Sequence, residues 1–326
     1  MRYKCLLLLL LLCAIPAAAQ DSKPGEPAPP GAASAPEPVV VRVLDAGAEP
    51  RRVLRCSPKT GSKSSLRMSM KMTTQMQVGD QPNRKVQIPR IIMDMDVDVL
   101  SVSENGDIRY DFKFTRVSVD DSDVESDLPE DALDTLRKSL KTMEGMGGTA
   151  TTTGRGETKD VTMRLPEHLD PSLQAMLSSM KESMTQMSAP LPEEAVGVGA
   201  RWEVQTHPRT TVRVDQIATM TLTKHVGDDF HIDLAVTQSA PQQEIEAPGS
   251  KVPVKLMKFA TEGTGSIEGT FGVVVPSVSK MKLSTNITVE SGTGKSKFRM
   301  KQRMDMNLAI VGGASQEVTT PPAGKK

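Results

Sequence analysis

Apolar and polar residues alternate with a period of two over several long segments of the chain. The apolar positions of the first three segments are Leu66, Met68, Met70, Met72, Met76 and Val78, then Ile91, Met93, Met95, Val97 and Val99, then Ile108, Tyr110, Phe112 and Phe114. Successive side chains of a strand point to opposite faces, so this alternation predicts half-buried antiparallel strands that share one apolar face.

Turn-forming residues between alternating segments predict three hairpins. Their turns lie at Asn105-Gly106, at residues 227–229 and at Thr293-Gly294. Asn-Gly is the preferred pair for a two-residue hairpin turn, and each of the three centres brings apolar positions of both strands onto one face. The pairs predicted to lie opposite one another include Val97–Phe114, Leu222–Leu234 and Ile287–Met300.

Two segments change to a helical period. Leu133, Leu136, Leu140 and Met143 form an apolar stripe over residues 129–146, and the spacing of Asp127 and Glu130 predicts a capping box at its start. Residues 171–187 carry a second stripe. It follows Asp170 as the predicted N-cap and consists of Leu173, Met176, Leu177, Met180, Met184 and Met187.

The order of these elements predicts a mainly β protein of the α+β class. Neither helix lies in a repeating strand–helix–strand frame, so a parallel sheet is disfavoured. We expect a curved antiparallel sheet or partly closed barrel of about eight to ten strands, covered by two amphipathic helices. A single β-rich domain is predicted over residues 39–311.

Both ends of the chain differ in composition from this domain. Residues 1–19 have the charged start, short apolar run and Ala17-Ala18-Ala19 site of a secretory signal, which favours cleavage there over lipoprotein anchoring at Cys13. Residues 20–38, rich in Pro and Ala, predict a disordered tether, and residues 312–326 a disordered tail. An exported protein, periplasmic or extracellular, follows as the expectation, with no transmembrane segment after signal removal.

Charge and composition narrow the function classes. The 40 Lys and Arg residues balance 40 Asp and Glu residues, and only nine residues are aromatic. A nucleic-acid partner is therefore not expected, because such binding needs a clustered basic surface and stacking platforms. The sequence contains no recognised catalytic or cofactor-binding motif, which predicts a non-enzymatic protein without a cofactor. Cys56 is the only cysteine outside the predicted signal.

Methionine is the unusual component, with 20 in the chain. The candidate ligand-binding residues on the apolar face are Met68, Met70, Met72, Met93, Met95, Met176, Met180, Met184, Met304 and Met306. One interpretation is a packed core in which flexible thioethers fill irregular gaps, and another is a pliable surface for a lipid or other apolar small molecule. A third is Cu(I) binding by the soft sulfurs.

Two further groups of residues resemble sites. His225 and His231 flank the turn at residues 227–229, and a hairpin with a three-residue loop would place them opposite one another as candidate metal ligands. Polar surface is the alternative interpretation of this pair. Asp94, Asp96 and Asp98 alternate along one strand, where a solvated face explains them better than divalent-ion binding does.

One segment resembles an uncharacterised family of exported bacterial β-rich proteins. Residues 190–204, PLPEEAVGVGARWEV, are similar to the family's P-x-P-x-x-x-V-x-V-G-x-x-W stretch, and the segment AGAEPRRVLR at residues 46–55 is consistent with it. The family has no assigned activity, so the resemblance implies no catalytic residue. A more distant analogy connects the predicted fold with the half-barrels of periplasmic lipoprotein carriers, which hold acyl chains against a concave sheet.

The sequence thus predicts an exported envelope protein that binds an apolar or lipid-like ligand on a methionine-rich sheet face. Three alternatives stay open at this point. They are a structural envelope protein with a filled core and no ligand, a methionine-based Cu(I) binder, and an unrecognised hydrolase. Nothing in the sequence indicates an oligomeric state or a protein partner.

Overall fold

The computed structural model describes residues 39–120, 127–164, 190–208, 212–245, 254–292 and 297–314. In this part of the chain, 13 strands form one sheet and a single helix, α1 (Glu130–Lys141), accompanies it. The strands are β1 (Val40–Asp45), β2 (Lys63–Val78), β3 (Arg84–Val102), β4 (Ile108–Asp120), β5 (Gly147–Thr152), β6 (Thr158–Arg164), β7 (Arg201–Thr206), β8 (Asp215–Val226), β9 (Asp229–Ala240), β10 (Gln243–Ile245), β11 (Val254–Thr270), β12 (Val278–Ser291) and β13 (Phe298–Ala314).

All strand pairs are antiparallel, which confirms the predicted fold class. The order across the sheet is β1-β7-β8-β9-β11-β12-β13-β2-β3-β4-β5-β6, with β10 paired to β11 beside this path. The strand-pairing path ends at β1 and β6, so it does not close into a barrel within the described residues. The sheet has 13 strands in the described residues rather than the eight to ten expected.

The predicted alternation sorts side chains onto an apolar face and a polar face. Three buried clusters lie on the apolar face. Trp202 and Leu222 belong to the first cluster, Phe112 and Phe114 to the second, and Leu256 to the third. Loops complete the first cluster, since Leu54 and Phe271 pack there from outside the strands. The core is therefore a layer between one sheet face and the segments that cover it.

Helix α1 covers the second cluster only at its end. Leu133 is a buried residue of the helix. Met143, which lies just after the helix, packs into the cluster around Phe112. The predicted capping box is wrong: Pro129 occupies the N-cap without a side-chain hydrogen bond, and the Asp127 carboxylate instead accepts one from the backbone N–H of Gln87 at 3.0 Å. The predicted second helix, at 171–187, lies outside the described residues, as do the predicted signal and tether.

The three predicted hairpins exist, but each register differs from the prediction by two residues. Val97 lies opposite Phe112, Leu222 opposite Ile232 and Ile287 opposite Gln302. A two-residue shift keeps every side chain on its own face, so hydrophobic alternation does not discriminate between these registers. Bulges at two of the hairpins, near Leu100 and Thr223, also change the alignment from the one that the turn residues alone suggest.

Close backbone contacts tie the segment before β7 to the segment after β1. Val196 and Arg52 form an isolated antiparallel bridge, and the N–H of Gly197 donates to the carbonyl oxygen of Ala46 at 2.9 Å. A Cβ atom at Gly197 would overlap the carbonyl oxygen of Ala48, so only glycine fits there. Trp202, near the start of β7, is fully buried.

We expect Gly197→Ala to lower the free energy of unfolding by about 2 kcal/mol or more, because the added methyl group must displace backbone. Gly313→Ala is the matched control, since a Cβ at Gly313 meets nothing within 4 Å. Its free energy of unfolding should stay within about 0.5 kcal/mol of the parent protein. Urea unfolding followed by circular dichroism measures both, and equal stabilities for the two variants would contradict this explanation.

Candidate functional site: the methionine-rich sheet face

The candidate methionines of β2, β3 and β13 meet on the apolar face of three adjacent strands. Met68 lies opposite Met93, Leu66 opposite Met95, and Met72 opposite Met306 in the strand pairing. The pairing of β13 with β2 runs without interruption, so their apolar positions remain on one face along the whole length. The sequence-based prediction that these side chains share a surface agrees with this geometry.

Burial separates these methionines into three groups. Met72 is buried, whereas Met93 and Met95 are half-buried and pack against the cluster around Phe112. The remaining four belong to none of the three described clusters. Together with two aliphatic neighbours they form a half-buried surface, here called the methionine patch, that consists of Met68, Met70, Met304, Met306, Leu308 and Ile310.

The remaining candidate methionines, Met176, Met180 and Met184, lie outside the described residues. The prediction that a helix at 171–187 covers the methionine face therefore stays a prediction. Among the described residues, the patch lies between the three clusters rather than inside one of them. Unlike the clusters, it is a flexible apolar surface that retains access to solvent.

A row of polar side chains crosses the apolar face and was not predicted. Thr206, Gln216, Gln238, Thr261 and Thr285 lie opposite one another on five successive strands, from β7 to β12. Gln216 donates to the Thr206 hydroxyl at 3.1 Å, Gln238 donates to Gln216 at 2.6 Å, and the hydroxyls of Thr261 and Thr285 are 2.9 Å apart. These hydrogen bonds offset the cost of placing polar groups on a buried face.

The row reaches the methionine patch at Met304, which lies between Thr285 and Thr74 in the strand pairing. Thr74 and Gln302 are 3% and 6% exposed, yet the Thr74 hydroxyl and the Gln302 amide oxygen find no hydrogen-bond partner in the described part of the chain. Unpaired polar atoms at such burial are costly and are uncommon in folded proteins. The sequence does contain a signal for this arrangement: Thr74 and Gln302 are polar residues at positions where the alternation of β2 and of β13 is otherwise apolar.

The predicted histidine pair does not form a metal site. His225 lies opposite Phe230, and its ring makes an edge contact with Phe271 on the apolar side, with centroids 5.8 Å apart. His231 is on the polar face, with ring nitrogens 3.2 Å from Asp233 and 3.3 Å from Glu268. The bulge near Thr223 separates the two rings. No group of three or more His, Cys, Asp or Glu side chains suited to a metal is found in the described residues.

Other potentially reactive groups have ordinary structural roles. Cys56 is half-buried, and this burial raises the pKa of its thiol, so the reactive thiolate is disfavoured. Arg67 donates two hydrogen bonds to Asp94, at 2.7 and 2.9 Å, and Lys63 is 3.8 Å from Asp98. The alternating aspartates therefore belong to a solvated, ion-paired face.

Comparisons with known proteins identify no family. No family model matches the chain, and no curated protein matches it. The proposed resemblance to a family of exported β-rich proteins, and the analogy with lipoprotein carriers, therefore gain no support from these comparisons. Within the described residues, no helix is long and apolar enough to cross a membrane.

Similar solved structures are outer-membrane proteins at very low similarity. A loop L8 deletion mutant of OmpT from Vibrio cholerae is 7% identical, with 77% of this chain and 100% of that chain covered and a TM-score of 0.18. OccK2 of Pseudomonas aeruginosa, solved in complex with glucuronate, is 7% identical over 78% of this chain and 99% of that chain, with a TM-score of 0.20. TM-scores this low carry no argument about fold or function.

Replacing Gln302 tests whether its amide is an unpaired group in the folded protein. We expect Gln302→Met to leave the free energy of unfolding unchanged or to raise it, because an unsatisfied buried acceptor is removed. Gln238→Met is the matched control, since it breaks the hydrogen bond to Gln216 and should lower the free energy of unfolding by about 1–2 kcal/mol. Urea unfolding measures both, and a larger loss for Gln302→Met would show that its amide is paired.

Replacing Arg67 tests the electrostatics of the solvated face. Hydrogen bonds from Arg67 lower the pKa of Asp94, so Arg67→Met should raise that pKa toward its ordinary value. A carboxyl group with a lowered folded-state pKa contributes stability above its unfolded pKa, and this contribution is lost as pH falls through the folded value. Carboxyl NMR titration of Asp94 measures the change. Arg299→Met, which removes a partner of Glu290 instead, should leave the Asp94 titration unchanged.

Proposed function

We propose that this protein is an exported, non-enzymatic binding protein for an apolar or lipid-like ligand, held on the methionine patch. One observation carries the proposal: six apolar side chains on β2 and β13 form a continuous surface that belongs to none of the buried clusters. Covering such a surface is favourable by about 25 cal/mol per Å² of apolar area. Unbranched thioethers can also change rotamer to fit ligands of different shape.

The surroundings of the patch favour a ligand with a polar group at one end. Met304 separates Thr285 from Thr74 in the cross-strand row, and Gln302 lies two residues away on the same face. A ligand that displaces the flexible Met304 side chain would bring its polar group beside Thr74 and Gln302. Their unpaired hydroxyl and amide oxygen would then gain hydrogen-bond partners, which offsets the cost of their burial. A long-chain alcohol has this chemistry, because its hydroxyl can donate to the Gln302 amide oxygen and accept from the Thr74 hydroxyl.

The test measures binding of a fluorescent long-chain alcohol to delipidated protein. We expect saturable binding that the double substitution Met70→Gln with Met306→Gln weakens about tenfold, because two thioethers that contact the chain become amides of similar length. Met257→Gln changes a half-buried methionine of β11 outside the patch and should leave the affinity within about twofold. Thermal unfolding of each variant verifies that the fold is retained.

Two outcomes would contradict the proposal. Absence of saturable binding to the delipidated protein would favour a structural protein whose own chain fills this face. Equal binding by the patch variant and by Met257→Gln would place the apolar ligand elsewhere on the molecule. Native mass spectrometry of protein purified from an exporting host gives an independent measurement, since a bound lipid would appear as an added mass.

A further inference from the structure

A groove of about 910 Å³ lies mainly on the polar face of the sheet, with 14 of its 18 lining residues at polar-face positions. The other four, Leu234, Gly265, Met281 and Leu308, form one row of apolar-face positions between two polar-face rows. The lining residues of the groove come from eight strands, from Arg201 on β7 to Arg90 on β3. Seven strand-to-strand steps separate these ends, which corresponds to roughly 34 Å measured along the sheet at the usual strand spacing. The groove therefore runs across the strands.

Strand register places the lining residues of the groove in transverse rows. One transverse row of opposed residues consists of Ser69, Ala309, Lys280, Ser266, Asp233, Thr221 and Arg201. The next row consists of Lys71, Asn307, Lys282, Thr264, Ala235 and Thr219. Small side chains, Ser, Thr or Ala, occupy seven of these 13 positions.

Charge in the groove is strongly asymmetric. Five cationic side chains and a single carboxylate, that of Asp233, line it. Arg90 pairs with Asp120 at 3.6 Å, but Lys71, Arg201, Lys280 and Lys282 form no ion pair within 4 Å in the described structure. Unpaired cations gathered in one groove attract an anionic ligand and favour its association at low ionic strength.

The spacing of these cations favours a ligand whose charges are far apart. Arg201 lies four strand steps from the lysines of β12, roughly 19 Å, and Lys71 lies two steps from them on the other side, roughly 10 Å. Between Arg201 and the lysines, Asp233 would repel an anionic group, whereas its carboxylate can accept hydrogen bonds from hydroxyl groups. A ligand that suits this pattern carries neutral, hydroxyl-bearing units between its anionic groups.

We propose that this groove binds an acidic polysaccharide, a chain of sugar units with carboxylates at intervals. Five hydroxyl-bearing side chains and Asn307 line the groove, and they can exchange hydrogen bonds with sugar hydroxyls. No aromatic side chain is among the lining residues, so the groove lacks the stacking platforms that single-stranded nucleic acids use. The evenly dense charge of polyphosphate also conflicts with the carboxylate of Asp233.

Isothermal titration of the purified protein with an oligogalacturonate tests this assignment. We expect saturable binding that weakens as salt concentration rises, and no binding of a neutral maltooligosaccharide of the same length. The double substitution Lys71→Gln with Lys282→Gln should weaken binding about tenfold. Lys258→Gln with Lys301→Gln removes the same charge from exposed positions outside the groove and should leave the affinity within about twofold.

Asp233→Ala distinguishes a sugar ligand from a simple polyanion. The substitution removes an acceptor for hydroxyl groups and a source of repulsion, so it should weaken oligogalacturonate binding and strengthen polyphosphate binding. His231 keeps its contact with Glu268 in this variant. Tighter binding of polyphosphate or oligothymidylate than of oligogalacturonate by the parent protein would overturn the polysaccharide assignment. Equal losses for the two lysine pairs would overturn the groove as the site.

Failure of this proposal is distinguishable from failure of the proposed apolar site. The two surfaces lie on opposite faces of the same strands, so Met70 and Lys71 are adjacent in sequence but belong to different sites. The lysine substitutions should leave binding of the long-chain alcohol unchanged, and the methionine substitutions should leave oligogalacturonate binding unchanged. A loss of both activities in either variant would indicate unfolding, which the thermal unfolding measurement detects independently.

Discussion

Uninterrupted cross-strand register is the constraint on which both surfaces of this protein depend. From β12 through β13 to β2, residues pair without a bulge over most of the strand lengths. Each side chain therefore stands in a transverse row with partners that are distant in the sequence, and the pleat keeps alternate rows on opposite faces. A one-residue slip of β13 would exchange the methionine row with the row that carries Asn307.

Division of the sheet into two chemically different faces underlies both proposed binding sites. The apolar face is mostly consumed by three buried clusters, and the methionine patch is the part that these clusters leave accessible. On the polar face, a band of small side chains leaves a groove in which four of the five cations form no ion pair within the described residues, although nearby charges such as Arg67 and Asp94 are paired. The two proposed binding surfaces are thus separated by the thickness of one sheet.

Sequence alternation predicted the class of fold and the shared face of Met68, Met93 and Met306, because side-chain direction along a strand depends only on the parity of positions. It did not predict which residues lie opposite one another. All three observed hairpin registers differ from the predicted ones by two residues. Such a shift leaves each side chain on the same face, so the hydrophobic pattern is equally compatible with both registers. The prediction that His225 and His231 lie opposite one another was wrong for a related reason, because a bulge turns the two side chains to different faces of the sheet.

The sequence by itself determined the antiparallel, two-faced character of the sheet, since local periodicity contains that information. Only the tertiary structure decided that Thr206, Gln216, Gln238 and Thr261 form one row, and that Arg201, Lys280 and Lys71 share a groove. These residues are separated by long stretches of chain, and their proximity depends on strand order and register. Strand order follows from how the whole apolar face is buried, which no local segment specifies.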